Sequence, residues 1–166
     1  GNIELIADRN KIIANKGVAI SGSIVNNGFS QTQDKFQKII KLTAQNGNNE
    51  ITVNDIDTTA EYSALTARNG YKVDLMANGN NIITAQKKGA SNTDGETIKS
   101  VNGIVDLTAK YNEKVENSGN NIVYAAYIES NGTGSHDALW AEGEKNDNKG
   151  TITLKADKEN KIYGSV

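Results

Sequence analysis

The sequence has no cysteine and a single histidine among its 166 residues. Without cysteine there is no disulfide framework and no thiolate metal site, and one histidine excludes a histidine-rich zinc or copper centre. Aromatic residues make up only 5% of the chain. A core must therefore consist mainly of Ile, Val, Leu and Ala, which suits a narrow interior. We expect no metal and no cofactor.

A strong net charge and long apolar runs are also missing. The formal net charge of −2 at pH 7 leaves no basic field for nucleic acid or anionic lipid. The chain contains no run of about 18 apolar residues and opens on no charged-then-apolar leader, so neither a membrane span nor a signal peptide is predicted. We expect no nucleic-acid partner and no direct membrane insertion of this segment.

One motif is present five times. Each copy is an alternating run of the form Ile/Val-x-Leu-x-Ala, followed by a polar turn and then by Asn-x-Ile. The alternation places Ile, Leu and Ala on one face of a β-strand. Successive leucines are 37, 33, 32 and 47 residues apart, so the spacing varies while the motif persists; they are Leu5, Leu42, Leu75, Leu107 and Leu154.

Repeats of this length predict a solenoid, because one unit cannot bury its apolar face without a neighbour. A third apolar element recurs at residues 18–21, 63–67 and 137–141, with a weak counterpart at 97–100, where we expect an irregular side. The predicted fold is all-β: a right-handed, three-sided parallel β-helix of about five coils with variable loop insertions. Residues 1–166 would form one segment of a longer protein, since neither end carries an evident cap.

An asparagine precedes the isoleucine of each copy by two residues. Asparagine tolerates the left-handed backbone of a tight bend, and amides stacked one coil apart can donate and accept along the stack. The alternative is that asparagine is merely common in this chain, but its recurrence in all five copies favours a structural ladder. The predicted ladder contains Asn10, Asn49, Asn80, Asn120 and Asn160.

The insertions between the repeats are predicted surface loops, at residues 23–38, 86–95, 110–119, 129–136 and 142–150. An aromatic residue on a polar loop either pins the loop to the coil or contacts a partner. We take Phe29, Phe36, Tyr111 and His136 as candidate partner-contact residues. Pinning is the more frequent role of such phenylalanines, and a plain surface position is the simpler interpretation of the histidine.

Catalysis has one candidate arrangement, because Asp74 and Asp106 occupy equivalent outward positions and would stack as neighbours. Like charges at that separation would favour protonation of one carboxylate. No second row of carboxylates and no adjacent arginine accompanies them, so we expect no catalytic residues. Asp55 and Asp57 could contact a cation, but the glycine spacing of calcium loops is missing.

The recurring Ile-x-Leu-x-Ala, Asn-x-Ile and Ala-Leu-x-Ala units, with Gly/Asn turns and no cysteine, resemble the passenger region of type V autotransporter adhesins of diderm bacteria. The resemblance implies a stalk on the bacterial cell surface, anchored in the outer membrane by the parent protein. It would mediate attachment, co-aggregation or biofilm formation by binding a partner-cell protein, a glycan or another copy of itself. A carbohydrate-active β-helix, such as a polysaccharide lyase, a hydrolase or a phage tailspike, and a passive spacer are the alternatives.

Overall fold

The computed structural model describes residues 1–22, 38–56, 63–86, 96–127, 138–143 and 150–163. These residues form strands and turns and contain no helix. Accordingly, the described part of the chain holds no helix long and apolar enough to cross a membrane. In chain order the strands are β1 (Ile3–Ala7), β2 (Asn10–Ala14), β3 (Ile20–Gly22), β4 (Lys38–Ala44), β5 (Asn49–Val53), β6 (Ser63–Arg68), β7 (Tyr71–Ala77), β8 (Asn81–Gln86), β9 (Glu96–Val101), β10 (Ile104–Ala109), β11 (Asn120–Tyr127), β12 (Leu139–Glu142), β13 (Thr151–Ala156) and β14 (Glu159–Tyr163).

The described strands form three parallel sheets, and within each sheet the strands follow the order of the coils along the chain. The first sheet has the order β1-β4-β7-β10-β13, the second β14-β11-β8-β5-β2, and the third β12-β9-β6-β3. Each strand is thus paired with its equivalent one repeat away. One passage through the sheets is a coil, and the coils stack as in a parallel β-solenoid. The all-β solenoid expected from the repeat is confirmed at this level.

The leucines of the five repeats lie directly over one another. Pairing along the first sheet aligns Leu5 with Leu42, then Leu75, Leu107 and Leu154. Leu42, Leu75 and Leu107 are at most 1% exposed. This register holds although the repeats differ in length, because the extra residues lie between strands and leave the paired segments unchanged. The leucine column predicted from the motif is confirmed.

The side expected to be irregular is a regular strand, so that expectation was wrong. β9 pairs in parallel with both β6 and β12, and Ile98 lies between Leu65 and Leu139 in the register. Ile98 is fully buried and fills the inward position that leucine takes in the neighbouring coils. Ser100 takes the place of Ala67 and stays buried by donating its hydroxyl to Gly103 O at 2.8 Å. The motif Ala-Leu-x-Ala is therefore narrower than the physical requirement of the third sheet, which is an aliphatic residue and a small residue facing inward.

Between the third and first sheets, successive coils turn through the pairs Asn69-Gly70 and Asn102-Gly103. Asn69 and Asn102 both have a φ of 51°, a left-handed conformation that asparagine adopts more readily than most residues. The two turns are hydrogen-bonded to each other, with Gly70 N donating to Asn102 O at 2.8 Å. A β-carbon at Gly103 would overlap the backbone of Ala67 in the coil below. A larger residue at Gly103 would therefore require the coil below to shift.

The first coil lies at one end of the stack. Its inward residues Ile3 and Leu5 are 53% and 42% exposed, whereas their partners Ile40 and Leu42 are buried. The difference follows from position, because an inner coil is covered on both sides and the first coil on one. Burial of the repeated leucine therefore depends on a neighbour above and below it.

We predict that the same substitution has very different costs along the leucine column. Leu75→Ala removes a fully buried side chain and should lower the free energy of unfolding by about 2–5 kcal/mol. Leu5→Ala removes a side chain that is 42% exposed already and should cost only about 1 kcal/mol. Urea denaturation of the two variants measures both values. Equal losses would contradict the stacking of coils described here.

Candidate functional site

A ladder of side-chain amides runs through the second sheet, at the first residues of its strands or next to them; it is buried except at Asn160 in the last coil. Its members are Asn10, Asn49, Asn81, Asn121 and Asn160. In each step the side-chain amide of one coil donates to the side-chain carbonyl of the next, at 2.9, 2.8, 2.8 and 2.9 Å. All donors point the same way along the stack, from the N-terminal coil to the C-terminal one.

The predicted ladder was correct at three positions and wrong at two. Asn80 and Asn120 are not members: the register places Asn81 and Asn121 beside Asn49 and Asn160 instead. Both repeats contain an asparagine doublet followed by two apolar residues, so the sequence allows two phases. The inward phase is set by Ile83 and Val123, which are fully buried, whereas the residue before each is only half-buried.

Asn80 and Asn120 belong to a neighbouring column of amides. The backbone N–H of Asn80 donates to Asn48 Oδ1, and that of Asn120 donates to Asn80 Oδ1, both at 2.9 Å. The side chain of Asn120 also donates to Asn80 Oδ1 at 3.1 Å. The doublets therefore contribute to two parallel hydrogen-bonded columns.

The ladder amides also hold the second sheet against the first. Besides its partner in the next coil, each of the first four members donates to a backbone carbonyl of that coil's first-sheet strand, for example Asn49 to Met76 O at 2.9 Å and Asn81 to Thr108 O at 3.0 Å. Asn49, Asn81 and Asn121 are fully buried. A buried amide without partners is costly, so these bonds are what permits a polar column in an apolar core. The ladder is structural.

The left-handed backbone expected at the ladder lies elsewhere. Among the described non-glycine residues, the positive-φ positions are Asn69, Asn102 and Asn117, none of which is a ladder residue. The ladder asparagines begin or precede extended strands and serve through their side chains. Asparagine therefore has two separate uses in this chain, one at a bend and one inside the coil.

The two aspartates considered for catalysis do stack, but a lysine lies between them. Asp74 and Asp106 are paired in the register, and Lys72 Nζ is 2.8 Å from Asp106 Oδ2 and 3.5 Å from Asp74 Oδ2. The hydrogen bond to Asp106, with the added charge of Asp74, raises the pKa of Lys72 above its ordinary value of 10.5. The sequence analysis missed this lysine, although its two-residue separation from Asp74 places both on one strand face.

Tyr111 is the candidate contact residue that the structure describes. It lies in the inserted loop 110–119 after β10 and is 55% exposed. Its backbone N–H donates to Asp157 Oδ2 at 2.8 Å, and Lys158 Nζ lies 4.7 Å from the centre of its ring. The phenol ring is thus held against the last coil on one side. Phe29, Phe36 and His136 lie outside the described residues.

An open-sided cavity of about 400 Å³ adjoins Tyr111. The loop forms one wall, and the turns that follow β4 and β7 form the other. The loop is fixed there by Asn112, whose side chain donates to Asn78 O at 3.1 Å and accepts from Lys114 N at 3.0 Å. The lining residues are Gln45, Asn46, Asn78, Tyr111, Asn112 and Glu113. Sequence reasoning found the tyrosine but not the amides, since turn asparagines are common throughout this chain.

Within the described residues no group of three or more His, Cys, Asp or Glu is arranged to hold a metal ion. Asp55 is described, whereas Asp57, the other residue considered for a cation, lies outside the described residues. No protein-family model, curated protein or solved structure matches this chain.

We predict that removing one ladder amide is costly. Asn81→Ala deletes both the acceptor for Asn49 and the donor for Asn121 inside the core, and should lower the free energy of unfolding by about 2–4 kcal/mol. Asn46→Ala is the matched control, because its amide bonds to Asp8 at an exposed turn and its loss should cost less than about 0.5 kcal/mol. Chemical denaturation compares the two. Similar costs would mean that the buried column does not stabilise the fold.

We predict a pH-dependent contribution from Lys72. Its pKa is raised in the folded state, so its stabilising effect is fully present below the ordinary value of 10.5 and is lost as the pH rises through the folded-state value. At pH 7, Lys72→Met should lower stability by about 1 kcal/mol, and the difference from the wild type should shrink in alkaline solution. The control is Lys155→Met, at an exposed position of β13, with an expected effect within about 0.5 kcal/mol. A Lys72→Met effect that stays constant to high pH would contradict the assignment.

Proposed function

We propose that this chain is a non-enzymatic segment of a bacterial cell-surface adhesin, located outside the cell and joined to the outer membrane through its parent protein. We further propose that its coils are right-handed and three-sided. Parallel crossover connections are overwhelmingly right-handed, and the strands of a coil enter the first, second and third sheets in turn. In this proposal the chain acts by binding, with no cofactor and no metal.

The observation that supports this function is that the length of the connections does not affect the register of the strands that form the core. β4 and β7 pair in an unbroken register, and so do β10 and β13. The connections that lead into these strands differ in length: only Asn69 and Gly70 precede β7, whereas residues 23–37 precede β4. A stack whose inner surfaces are satisfied coil by coil can present loops of any length at its corners. This is the arrangement that a display scaffold requires.

The same stack supports binding by many weak contacts. Successive coils carry corners at regular intervals along one axis, and simultaneous contacts at several corners raise the effective affinity without any deep pocket. A partner-cell protein, a glycan or another copy of the chain would all be held in this way. The stalk would also grow one coil at a time as it leaves the cell, because each coil contacts mainly its neighbours.

The contact of Lys72 with Asp74 and Asp106 supports a binding role over a catalytic one. General acid–base catalysis requires a carboxyl group that holds or accepts a proton at working pH. Lys72 Nζ lies 2.8 Å from Asp106 and 3.5 Å from Asp74, so both carboxylates are engaged in ion pairs with the same ammonium. The arrangement is that of an ion-paired strand face.

The test is surface display on a bacterium that neither aggregates nor attaches. The chain would be joined to a heterologous outer-membrane anchor, and sedimentation of the culture and retention on host cells and plastic would be measured. We expect increased aggregation or retention relative to the anchor alone. A culture that behaves like the anchor control would identify the chain as a passive spacer. Release of reducing ends from incubated polysaccharides, abolished by Asp74→Asn, would identify it as an enzyme.

A further inference from the structure

We propose that the cavity beside Tyr111 binds a neutral, linear glycan, with one sugar against the tyrosine ring and the following sugars along the amides of the turns. The proposal rests on the adhesin function for its setting and names the ligand class of one site. It stands on three observations: an exposed aromatic ring, a row of amides with free hydrogen-bonding capacity, and the charge of the lining.

The ring of Tyr111 is placed so that one side faces the cavity. Along the first sheet, β13 lies on one side of β10, and β7 and β4 lie on the other. Lys158, which follows β13, contacts the ring at 4.7 Å, whereas the cavity residues Gln45 and Asn78 follow β4 and β7. The lysine therefore contacts the ring from the side of the last coil, opposite to the coils that supply Gln45 and Asn78. An aromatic ring supplies a rigid apolar surface with little loss of conformational entropy on binding.

The amides of the cavity have donors and acceptors to spare. Asn78 donates to Gln45 O at 2.8 Å and Asn46 donates to Asp8 Oδ1 at 2.9 Å. Among the described residues, the side-chain oxygens of Asn46 and Asn78 and the whole amide of Gln45 form no hydrogen bond. A primary amide offers both donors and acceptors, and so does a sugar hydroxyl. A hydroxyl-rich ligand satisfies these groups in whichever direction each hydroxyl points.

The spacing of the row suits a chain of sugars. Gln45 and Asn78 follow the last residues of paired strands, since Ala44 is aligned with Ala77. Paired strands lie about 4.8 Å apart, which is close to the length of one pyranose ring along an extended glycan. A linear glycan lying parallel to the coil axis would meet one amide per sugar. About three sugars, one for each coil, would extend from Tyr111 past Asn78 to Gln45 and Asn46.

The lining favours a neutral glycan over a charged one and over a peptide. Glu113 is the single charged residue among the described residues that line the cavity, and it would repel the carboxylates of an acidic polysaccharide. A peptide is recognised by an unpaired strand edge or by apolar side-chain pockets. At this corner the strands β4, β7 and β10 are paired on both sides, and the lining consists of amides, one carboxylate and one phenol.

The cavity is formed before any ligand binds. Asn112 accepts a hydrogen bond from Lys114 N, its own N–H donates to Ser118 Oγ at 2.9 Å, and Ser118 Oγ in turn donates to Asn112 O at 2.7 Å. The loop that carries Tyr111 is thus closed on itself by its own side chains. A preformed site loses little ordering entropy on binding.

The test is a titration of the isotope-labelled chain, followed by amide chemical shifts. The probes are two neutral oligosaccharides of six sugars, a β-1,4-glucan and its N-acetylated counterpart, with a hexagalacturonate as the acidic comparison. We expect the neutral probes to shift the resonances of Gln45, Asn46, Asn78 and Tyr111, with a Kd on the order of 1 mM, and the acidic probe to bind at least several-fold more weakly.

Variants separate the tyrosine from a general effect of exposed aromatics. Tyr111→Ala should weaken binding by about tenfold, and Tyr111→Phe should retain most of it because the ring surface is kept. Tyr163→Ala is the matched control: Tyr163 is 54% exposed, similar to Tyr111, but stacks on Tyr124 at the edge of the second sheet. Its loss should leave binding unchanged.

Either of two results would overturn the proposal: no shift with both neutral probes, or binding that Tyr111→Ala leaves intact. These failures are distinct from failure of the proposed function. If the displayed chain mediates attachment and Tyr111→Ala does not reduce it, the adhesin uses a different surface. If the glycan binds at Tyr111 but display produces no attachment, the site exists and the adhesin role is wrong.

Discussion

The structure depends on one constraint: every strand must pair in register with the equivalent strand one coil away, and each buried ladder amide must form a hydrogen bond with the amide of the next coil. The backbone hydrogen bonds of the sheets set the distance between successive coils. The side-chain amides from Asn10 to Asn160 bond to one another at that distance, and they can do so only when their coils are aligned. A slip of one residue would turn the apolar face outward and separate each amide from its partner in the next coil. The ladder and the leucine column therefore select the same register.

Because of this constraint, the pairing of the strands is the same in every coil, whereas the turns and loops between the strands differ. Insertions change what lies at the corners and leave the pairing intact, so the features that distinguish one coil from another are turn and loop residues. The loop 110–119 is the clearest case, because it is closed by Asn112 and Ser118 and bonded to the coils on both sides of it. Tyr111 is exposed at a fixed position for that reason, beside amides supplied by other coils.

On the outward faces of the strands, side chains of neighbouring coils interact through charges and aromatic rings. Lys72 forms ion pairs with both Asp74 and Asp106 on the first sheet, and Tyr124 stacks on Tyr163 on the second, with ring centres 4.8 Å apart. In both cases side chains one coil apart are close enough to interact, so charges and rings form short columns of their own. An isolated strand shows that Lys72 and Asp74 share a face, but it gives no indication of Asp106 or of the tyrosine stack, since those partners come from neighbouring coils.

The sequence by itself determined the strands, the repeat and the inward leucines, because period-2 alternation is a local property and five copies of the motif fix its phase. Given the repeat, parallel stacking followed from the need of each unit to cover its apolar face. Only the tertiary structure decided which asparagine of the doublets Asn80-Asn81 and Asn120-Asn121 faces inward, since the apolar residues after each doublet occupy both strand faces and leave the local pattern ambiguous. It also decided that Lys72 lies between two aspartates and that Tyr111 adjoins Gln45 and Asn78, because those distances depend on how neighbouring coils align.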